Sequence, residues 1–187
     1  RHLPGSGEAF DPHVWFDVAL WAACTDMVAE KLVELDPEHA AVYRRNAERY
    51  KAELLKLDGW CREQTATIPK EQRVLVTSHD AFGYFGARYG MEVHGIQGIA
   101  TTDEADLASV NQLVNLLVER GVKAVFVETS VAEKNVHSLV EACAARGHTI
   151  RVGGRLYSDA MGPAGSPGGT YTGMMRSNVD TIVDALR

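Results

Sequence analysis

The stretch Arg73-Val74-Leu75-Val76-Thr77-Ser78-His79-Asp80-Ala81-Phe82-Gly83-Tyr84 decides the fold class of this chain. Its first half is a run of apolar and β-branched residues, which is typical of a strand buried on both faces. Residues 81–89 have a helical pattern that Gly90 closes. A buried strand followed directly by a helix is the repeating unit of an α/β fold with a parallel sheet.

The same alternation of strand and helix continues to the end of the chain. The pattern predicts strands over 91–97, 122–127 and 148–152, and helices over 107–120, 130–146 and 170–186. Ser130-Val131-Ala132-Glu133 has the form of a capping box at the start of one of these helices. Residues 153–169 are rich in Gly and Pro and are predicted to form a loop. The sequence therefore predicts one parallel sheet with helices on both faces.

Two helices are predicted before the sheet. The first covers residues 14–35, and the second begins at Asp36-Pro37, with Asp36 as the N-cap, and continues to about Thr67. The second helix has a narrow apolar stripe and is otherwise highly charged. About 30 helical residues would extend about 45 Å. A helix this long and this polar suggests a strut between two lobes.

Composition and charge exclude several classes of protein. The chain has 187 residues, of which 19 are Lys or Arg and 25 are Asp or Glu, so the net charge is −6. It has no basic stripe of the kind that nucleic-acid binding requires. No apolar run approaches the ~18 residues of a membrane-spanning helix. Cys24, Cys61 and Cys143 have no CxxC spacing and are expected to be small buried hydrophobic residues.

Three residues at breaks between predicted elements could bind a metal. His13 lies in Asp11-Pro12-His13-Val14-Trp15, His79 follows the first strand, and Asp159 follows the last strand. Open parallel sheets bind ligands beyond the carboxyl ends of their strands, so His79 and Asp159 are expected at one edge. Two imidazoles and a carboxylate suit a divalent ion, but they are one ligand short of a closed tetrahedral site.

Each of these residues also has an ordinary structural role open to it. His13 and His79 could simply lie near helix starts, and Asp159 could stabilise a turn. Glu128, at the end of another strand, could orient a ligand histidine or bind backbone amides at the start of the next helix. The second role is the one we favour for Glu128. The other histidines share no spacing and are interpreted as surface or structural residues.

Five motifs add a resemblance to a known family. DPHVWFD (11–17), VLVTSHDAFGYF (74–85), FVETS (126–130) with KNV (134–136), LYSDAMG (156–162) and GTYTGMM (169–175) occur in this order. The chain thereby resembles the zinc/manganese-type solute-binding proteins of bacterial ABC importers, the TroA/ZnuA-like family. The resemblance implies two α/β lobes joined by one long helix, with a metal held between the lobes. By this resemblance, His13, His79 and Asp159 match metal ligands of the family.

The resemblance also implies a division of the chain. Residues 1–36 would be the remnant of the N-terminal lobe, residues 37–68 the linker helix, and residues 69–187 the C-terminal α/β lobe. Family members have a further histidine in the first lobe that has no counterpart here. We therefore interpret the chain, which begins at Arg1, as a fragment without its signal sequence. Such a fragment is expected to bind metal poorly alone, and it could self-associate.

The leading hypothesis is a non-enzymatic receptor that captures Zn²⁺ or Mn²⁺ outside the cytoplasm, as a periplasmic protein or a surface lipoprotein. It would deliver the ion to an ABC permease in the membrane. The two imidazoles lean slightly towards zinc, and acid should release the ion, since the ligands must be deprotonated. One alternative is a metal-dependent hydrolase with Glu128 as general base, although no HExxH motif is present. Another is an adhesin stabilised by a metal.

Overall fold

The structure, a computed structural model, describes residues 10–99 and 107–187. Its α-helices are α1 Val18–Leu35, α2 Ala40–Ala66, α3 Gly83–Tyr89, α4 Leu107–Arg120, α5 Lys134–Ala145 and α6 Tyr171–Leu186. Its strands are β1 Val74–His79, β2 Glu92–Gln97, β3 Ala124–Glu128 and β4 Arg151–Leu156. Short 3₁₀ turns cover Val14–Phe16, Pro37–His39 and Lys70–Gln72.

The predicted α/β fold with parallel strands is confirmed, with one difference in the sheet. β1 pairs with β2 and β3 pairs with β4, both in parallel. β1 and β3 lie side by side, but the described strands form two two-stranded sheets where one sheet was predicted. At the end of β1, the backbone N–H of His79 donates to Oε1 of Glu128 at 2.8 Å. This contact links the ends of β1 and β3 through a side chain.

Both faces of the central strands are buried, as the apolar run predicted. Leu75 belongs to one hydrophobic cluster with Phe126, Leu54 and Met175, which lies towards α2 and α6. Val76 belongs to a second cluster on the opposite side, towards α4 and α5. Successive side chains of a strand point to opposite faces, so β1 and β3 each contribute to both clusters. The carboxyl ends of β1 and β3 are therefore held firmly between two apolar layers.

The long helix before the sheet is present, with a different start. The Asp36 carboxylate contacts Nδ1 of His39 at 2.9 Å and accepts a hydrogen bond from the Tyr43 hydroxyl at 2.6 Å. Asp36 is the N-cap residue and Pro37 the first residue of the 3₁₀ turn that leads into this helix, as predicted, but the Asp36 side chain accepts no capping N–H and the α-helical part begins only at Ala40. Twenty-seven residues give α2 a length of about 40 Å. α2 contacts α1, α3 and α6. The division into lobes at residues 36 and 68 stays a prediction.

The first predicted helix is interrupted at Asp17. The carboxylate of Asp17 accepts hydrogen bonds from the N–H groups of Ala19 and Leu20 at 3.0 and 3.1 Å, so Asp17 is the N-cap of α1. The residues before it form the separate 3₁₀ turn. Of the three cysteines, Cys61 and Cys143 are buried as expected, and Cys24 is partly exposed.

Two predicted boundaries in the second half are wrong. The capping box at Ser130–Glu133 does not start a helix, since α5 begins at Lys134 and the Ser130 hydroxyl pairs with that of Ser158. The loop predicted from residue 153 begins too early, because β4 extends to Leu156. A Cβ at Gly153 would lie 2.7 Å from Cβ of Ala185 and 2.8 Å from Cε1 of Phe126. That glycine allows β4 to pack closely against β3 and α6 and does not form a turn.

Candidate metal centre

The structure brings the three predicted ligands together. Nε2 of His13 and Nε2 of His79 lie 3.5 and 3.4 Å from the same oxygen, Oδ1 of Asp159. One ligand atom from each residue lies within 4.8 Å of the others. Ligand atoms on a tetrahedral zinc, each about 2.1 Å from the ion, are about 3.4 Å apart. The two nitrogen–oxygen distances therefore match those of ligands that share one ion.

Each candidate ligand lies near the end of a regular element. His13 directly precedes the 3₁₀ turn at Val14–Phe16, His79 is the last residue of β1, and Asp159 follows β4 by three residues. The two imidazole rings meet edge to face, with centroids 5.4 Å apart. His79 and Asp159 therefore lie close together at the carboxyl ends of parallel strands, with His79 inside β1 and not past its end as predicted.

The site is buried on the histidine side and open on the carboxylate side. His13 and His79 are 3% and 0% exposed, whereas the Asp159 side chain is 33% exposed. Among the described residues, Nε2 of His79 has no hydrogen-bond partner although it is buried. A buried polar atom without a partner costs about 1–3 kcal/mol. A metal ion that accepted this lone pair would remove that cost.

A buried carboxylate lies behind each histidine. Oδ1 of Asp11 accepts the backbone N–H of His13 at 3.0 Å and contacts its Nδ1 at 2.7 Å. Oε2 of Glu128 lies 2.6 Å from Nδ1 of His79. Our favoured prediction for Glu128 was wrong, because its other oxygen binds the backbone N–H of His79 and not the next helix. Asp11 had no predicted role, although the Asp-Pro-His motif was an available signal for one.

The electrostatics of the site favour a cation. Burial lowers the pKa of His79 and is the largest single effect, but the carboxylates of Glu128 and Asp159 together outweigh it. The pKa of His79 is therefore raised above its ordinary value. Carboxylates that stabilise a protonated ring also stabilise a metal cation in the same place.

Hydrogen bonds from distant segments fix the loop that carries Asp159. Nε1 of Trp15 donates to the carbonyl of Ser158 at 3.1 Å, and the Tyr171 hydroxyl donates to the carbonyl of Trp15 at 2.7 Å. The side-chain amide of Asn178, on α6, binds both the N–H and the carbonyl of Tyr157 at 2.9 and 2.8 Å. These contacts hold the Asp159 loop against the segment that carries His13.

The remaining described histidines lie outside the site. His39, His94 and His137 contact nearby carboxylates, those of Asp36, Glu92 and Glu133. His148 contacts the carbonyl of Val122 through Nε2 at 2.8 Å. Their interpretation as surface or structural residues agrees with these contacts; His2 lies outside the described residues. Across residues 10–99 and 107–187, no helix has the length and apolar character that crossing a membrane requires.

Several proteins of known name are similar to this chain in sequence. The chain is similar to the manganese-binding lipoprotein MntA of Bacillus subtilis (strain 168), with 49% identity over 183 residues, 98% of this chain and 60% of that protein. It is 47% identical to the zinc-binding protein TroA of Treponema pallidum (strain Nichols) over 177 residues, which are 95% of this chain and 58% of TroA. The chain thus spans about three fifths of the length of these relatives.

A solved structure and a protein family also match this chain. The structure of the periplasmic zinc-binding protein TroA from Treponema pallidum matches with a TM-score of 0.94 and 45% identity, over 100% of this chain and 67% of that one. The ZnuA family, described as zinc-uptake complex component A, periplasmic, matches residues 2–185. The resemblance carried by the five motifs is confirmed. The chain belongs to the ZnuA family of metal-binding proteins.

Proposed function

We propose that this chain holds a divalent transition metal, through His13, His79 and Asp159, as the cargo of an ABC importer. The observation that carries the proposal is the convergence of two imidazole Nε2 atoms on Oδ1 of Asp159 at 3.4 and 3.5 Å. The buried Nε2 of His79, without a hydrogen-bond partner among the described residues, supports it. So does the binding of manganese by MntA and of zinc by TroA, as their names state.

The ligand set favours zinc over manganese. Imidazole nitrogen suits Zn²⁺, whereas Mn²⁺ prefers oxygen ligands, and intrinsic affinity also increases from manganese to zinc. Three protein ligands leave at least one position for water or another group. That opening, and the partly exposed Asp159, suit an ion that must later be released.

The place of action follows from the relatives. MntA is named a lipoprotein, and the ZnuA family is described as periplasmic. We therefore infer an extracytoplasmic receptor, periplasmic or lipid-anchored, whose partner is the membrane permease. Residues 1–36, 37–68 and 69–187 would serve as the end of one lobe, the linker helix and the second lobe.

A hydrolase has less support from the site. Its general base would have to reach water on the ion, but Glu128 is fully buried and contacts the Nδ1 side of His79. A bound ion would lie on the opposite side of the ring, at Nε2. We therefore assign the site to binding without catalysis.

The test is a zinc titration of the metal-free chain, monitored by NMR signals of the histidine rings. This measurement also detects weak binding. We expect zinc to shift the ring signals of His13 and His79. His79→Ala and Asp159→Ala should each lose more affinity than the about 10- to 100-fold typical of changes around the ligands. His94→Ala, which removes an exposed histidine paired with Glu92, is the control and should bind as wild type. Unchanged zinc affinity in both site variants would refute the assignment.

A further inference from the structure

We propose that Asp11 and Glu128 are positioning residues, which hold His13 and His79 with Nδ1 protonated and the Nε2 lone pair free for the metal. The inference rests on the proposed function and adds two residues to it. It starts from a repeated geometry: each histidine has a buried carboxylate at Nδ1, at 2.7 Å for Asp11 and 2.6 Å for Glu128.

Each carboxylate holds both the backbone and the ring of its histidine. Asp11 accepts the N–H of His13, and Glu128 accepts the N–H of His79 from the neighbouring strand. One pair is two residues apart in sequence and the other is 49 residues apart. The same arrangement thus arises from a local turn and from strand packing. A carboxylate attached at both points restricts the side-chain torsions of the histidine and so directs Nε2 towards Asp159.

The short contacts select one tautomer. A neutral imidazole has one N–H and one lone pair, on different nitrogens. At 2.6–2.7 Å a carboxylate oxygen attracts an N–H but repels a nitrogen lone pair. The proton therefore belongs on Nδ1, and the lone pair on Nε2 faces Asp159. Histidine ligands in metal sites commonly have such an outer carboxylate partner.

The two pairs differ in one detail that makes the inference testable. Asp11 uses a single oxygen, Oδ1, for both contacts, so the carbonyl oxygen of Asn could replace it. Glu128 uses one oxygen for the backbone and the other for the ring. In Glu128→Gln the single amide oxygen can accept either the backbone N–H or the ring N–H of His79, but not both. The NH₂ group must then face whichever of these two groups is left. With the NH₂ group at Nδ1, the favoured tautomer has its proton on Nε2, where it blocks the metal.

The experiment compares Glu128→Gln with Asp11→Asn and with Glu92→Gln. Glu92 also pairs with a histidine, but it lies opposite Val74 at the start of β1, about 17 Å from His79 along the strand. Ring nitrogen NMR of the metal-free chain, followed upwards in pH until the signals no longer change, identifies the protonated nitrogen of the neutral ring. Competition with a chelator measures zinc affinity.

We expect wild-type His79 to be protonated at Nδ1, and Glu128→Gln to move that proton to Nε2 and lower zinc affinity about 10- to 100-fold. Asp11→Asn should keep the tautomer of His13 and lose less affinity, and Glu92→Gln should behave as wild type. A proton on Nε2 of His79 in the wild type overturns the inference without any variant having to fold. So does a wild-type affinity in Glu128→Gln, provided that His79→Ala still loses zinc. If His79→Ala also binds zinc normally, the proposed function itself fails.

Discussion

Replacing Asp58 by Asn should destabilise the fold by about 2 kcal/mol near neutral pH, by removing the charge of a buried ion pair. Asp58 lies on α2 and is 7% exposed. Its carboxylate accepts hydrogen bonds from Nε and Nη2 of Arg88 at 2.9 and 2.7 Å, and from the Tyr89 hydroxyl at 3.1 Å. Nε of Arg88 also lies 3.6 Å from Oδ1 of Asp17. The cluster thus ties α2 to α3 and to the start of α1.

The magnitude follows from how much of the pair is buried. Removing one partner of a fully buried ion pair costs about 3–5 kcal/mol, because the other charge stays buried and unpaired. The Arg88 side chain is 30% exposed and would keep its contact with Asp17, so the loss falls below that range. For a chain of 187 residues, a loss of about 2 kcal/mol lowers the melting temperature by about 4–8 °C.

The loss should depend on pH. Burial raises the pKa of Asp58 and is the largest single effect, but the hydrogen bonds and charge of Arg88, helped by Tyr89 and Arg62, leave the pKa below its usual value. A carboxyl whose pKa is lower in the folded state stabilises the fold above its unfolded pKa, about 3.9. That stabilisation is lost as the pH falls through the folded pKa. The free energies of unfolding of wild type and Asp58→Asn should therefore converge below about pH 4.

Urea unfolding of both proteins at neutral and acid pH measures the difference. Glu30→Gln, which breaks the exposed pair of Glu30 with Arg44, is the control and should change stability little. If Asp58→Asn lowers the free energy of unfolding equally at neutral and acid pH, the charge of Asp58 is not the cause of the destabilisation. A loss no larger than that of Glu30→Gln would refute the reasoning from burial.

Three further substitutions test other parts of the structure. Gly86→Ala should cost about 1–3 kcal/mol, because its Cβ would lie 2.5 Å from Cγ2 of Val93 and 2.7 Å from the Met91 carbonyl oxygen; a wild-type melting temperature would contradict this. Asn178→Ala should lower the free energy of unfolding by about 2–3 kcal/mol, because the N–H and carbonyl of Tyr157 lose their partner. It should also weaken zinc binding, because the Asp159 loop is held less firmly. Unchanged urea unfolding and unchanged zinc competition would show that the loop does not depend on Asn178. Thr170→Ala removes the hydroxyl that accepts the Gly173 N–H at the start of α6 and should cost about 1 kcal/mol in thermal unfolding; no change would mean that α6 does not depend on this cap.

Features of the fold that depend on neighbouring residues in the sequence could be predicted. The apolar run before His79 predicted a strand buried on both faces, and Val74, Leu75 and Val76 are indeed fully buried. Gly90 ends α3 in the left-handed conformation that glycine adopts most easily. The position of His79 and Asp159 at the carboxyl ends of strands followed from the same alternation, because parallel strands have a common direction.

Two predictions failed because of contacts with distant segments. Ser130–Glu133 has the form of a capping box, but the Ser130 hydroxyl pairs with Ser158. Gly153 looked like part of a loop, but its lack of a side chain allows Phe126 and Ala185 to approach. In both cases a contact from another segment outweighs the local preference of the residue.

By itself, the sequence determined the order of strands and helices, the family through its five motifs, and the three candidate ligands. The periodicity of apolar residues and the chemistry of His and Asp can be read without knowing where segments meet. Only the tertiary structure decided that two Nε2 atoms meet one carboxylate oxygen, and that Glu128 lies behind His79. Glu128 is 49 residues from His79, and Ser158 is 143 residues from Trp15. Contacts between segments so far apart in the chain are set by the packing of strands and helices, which no local pattern in the sequence encodes.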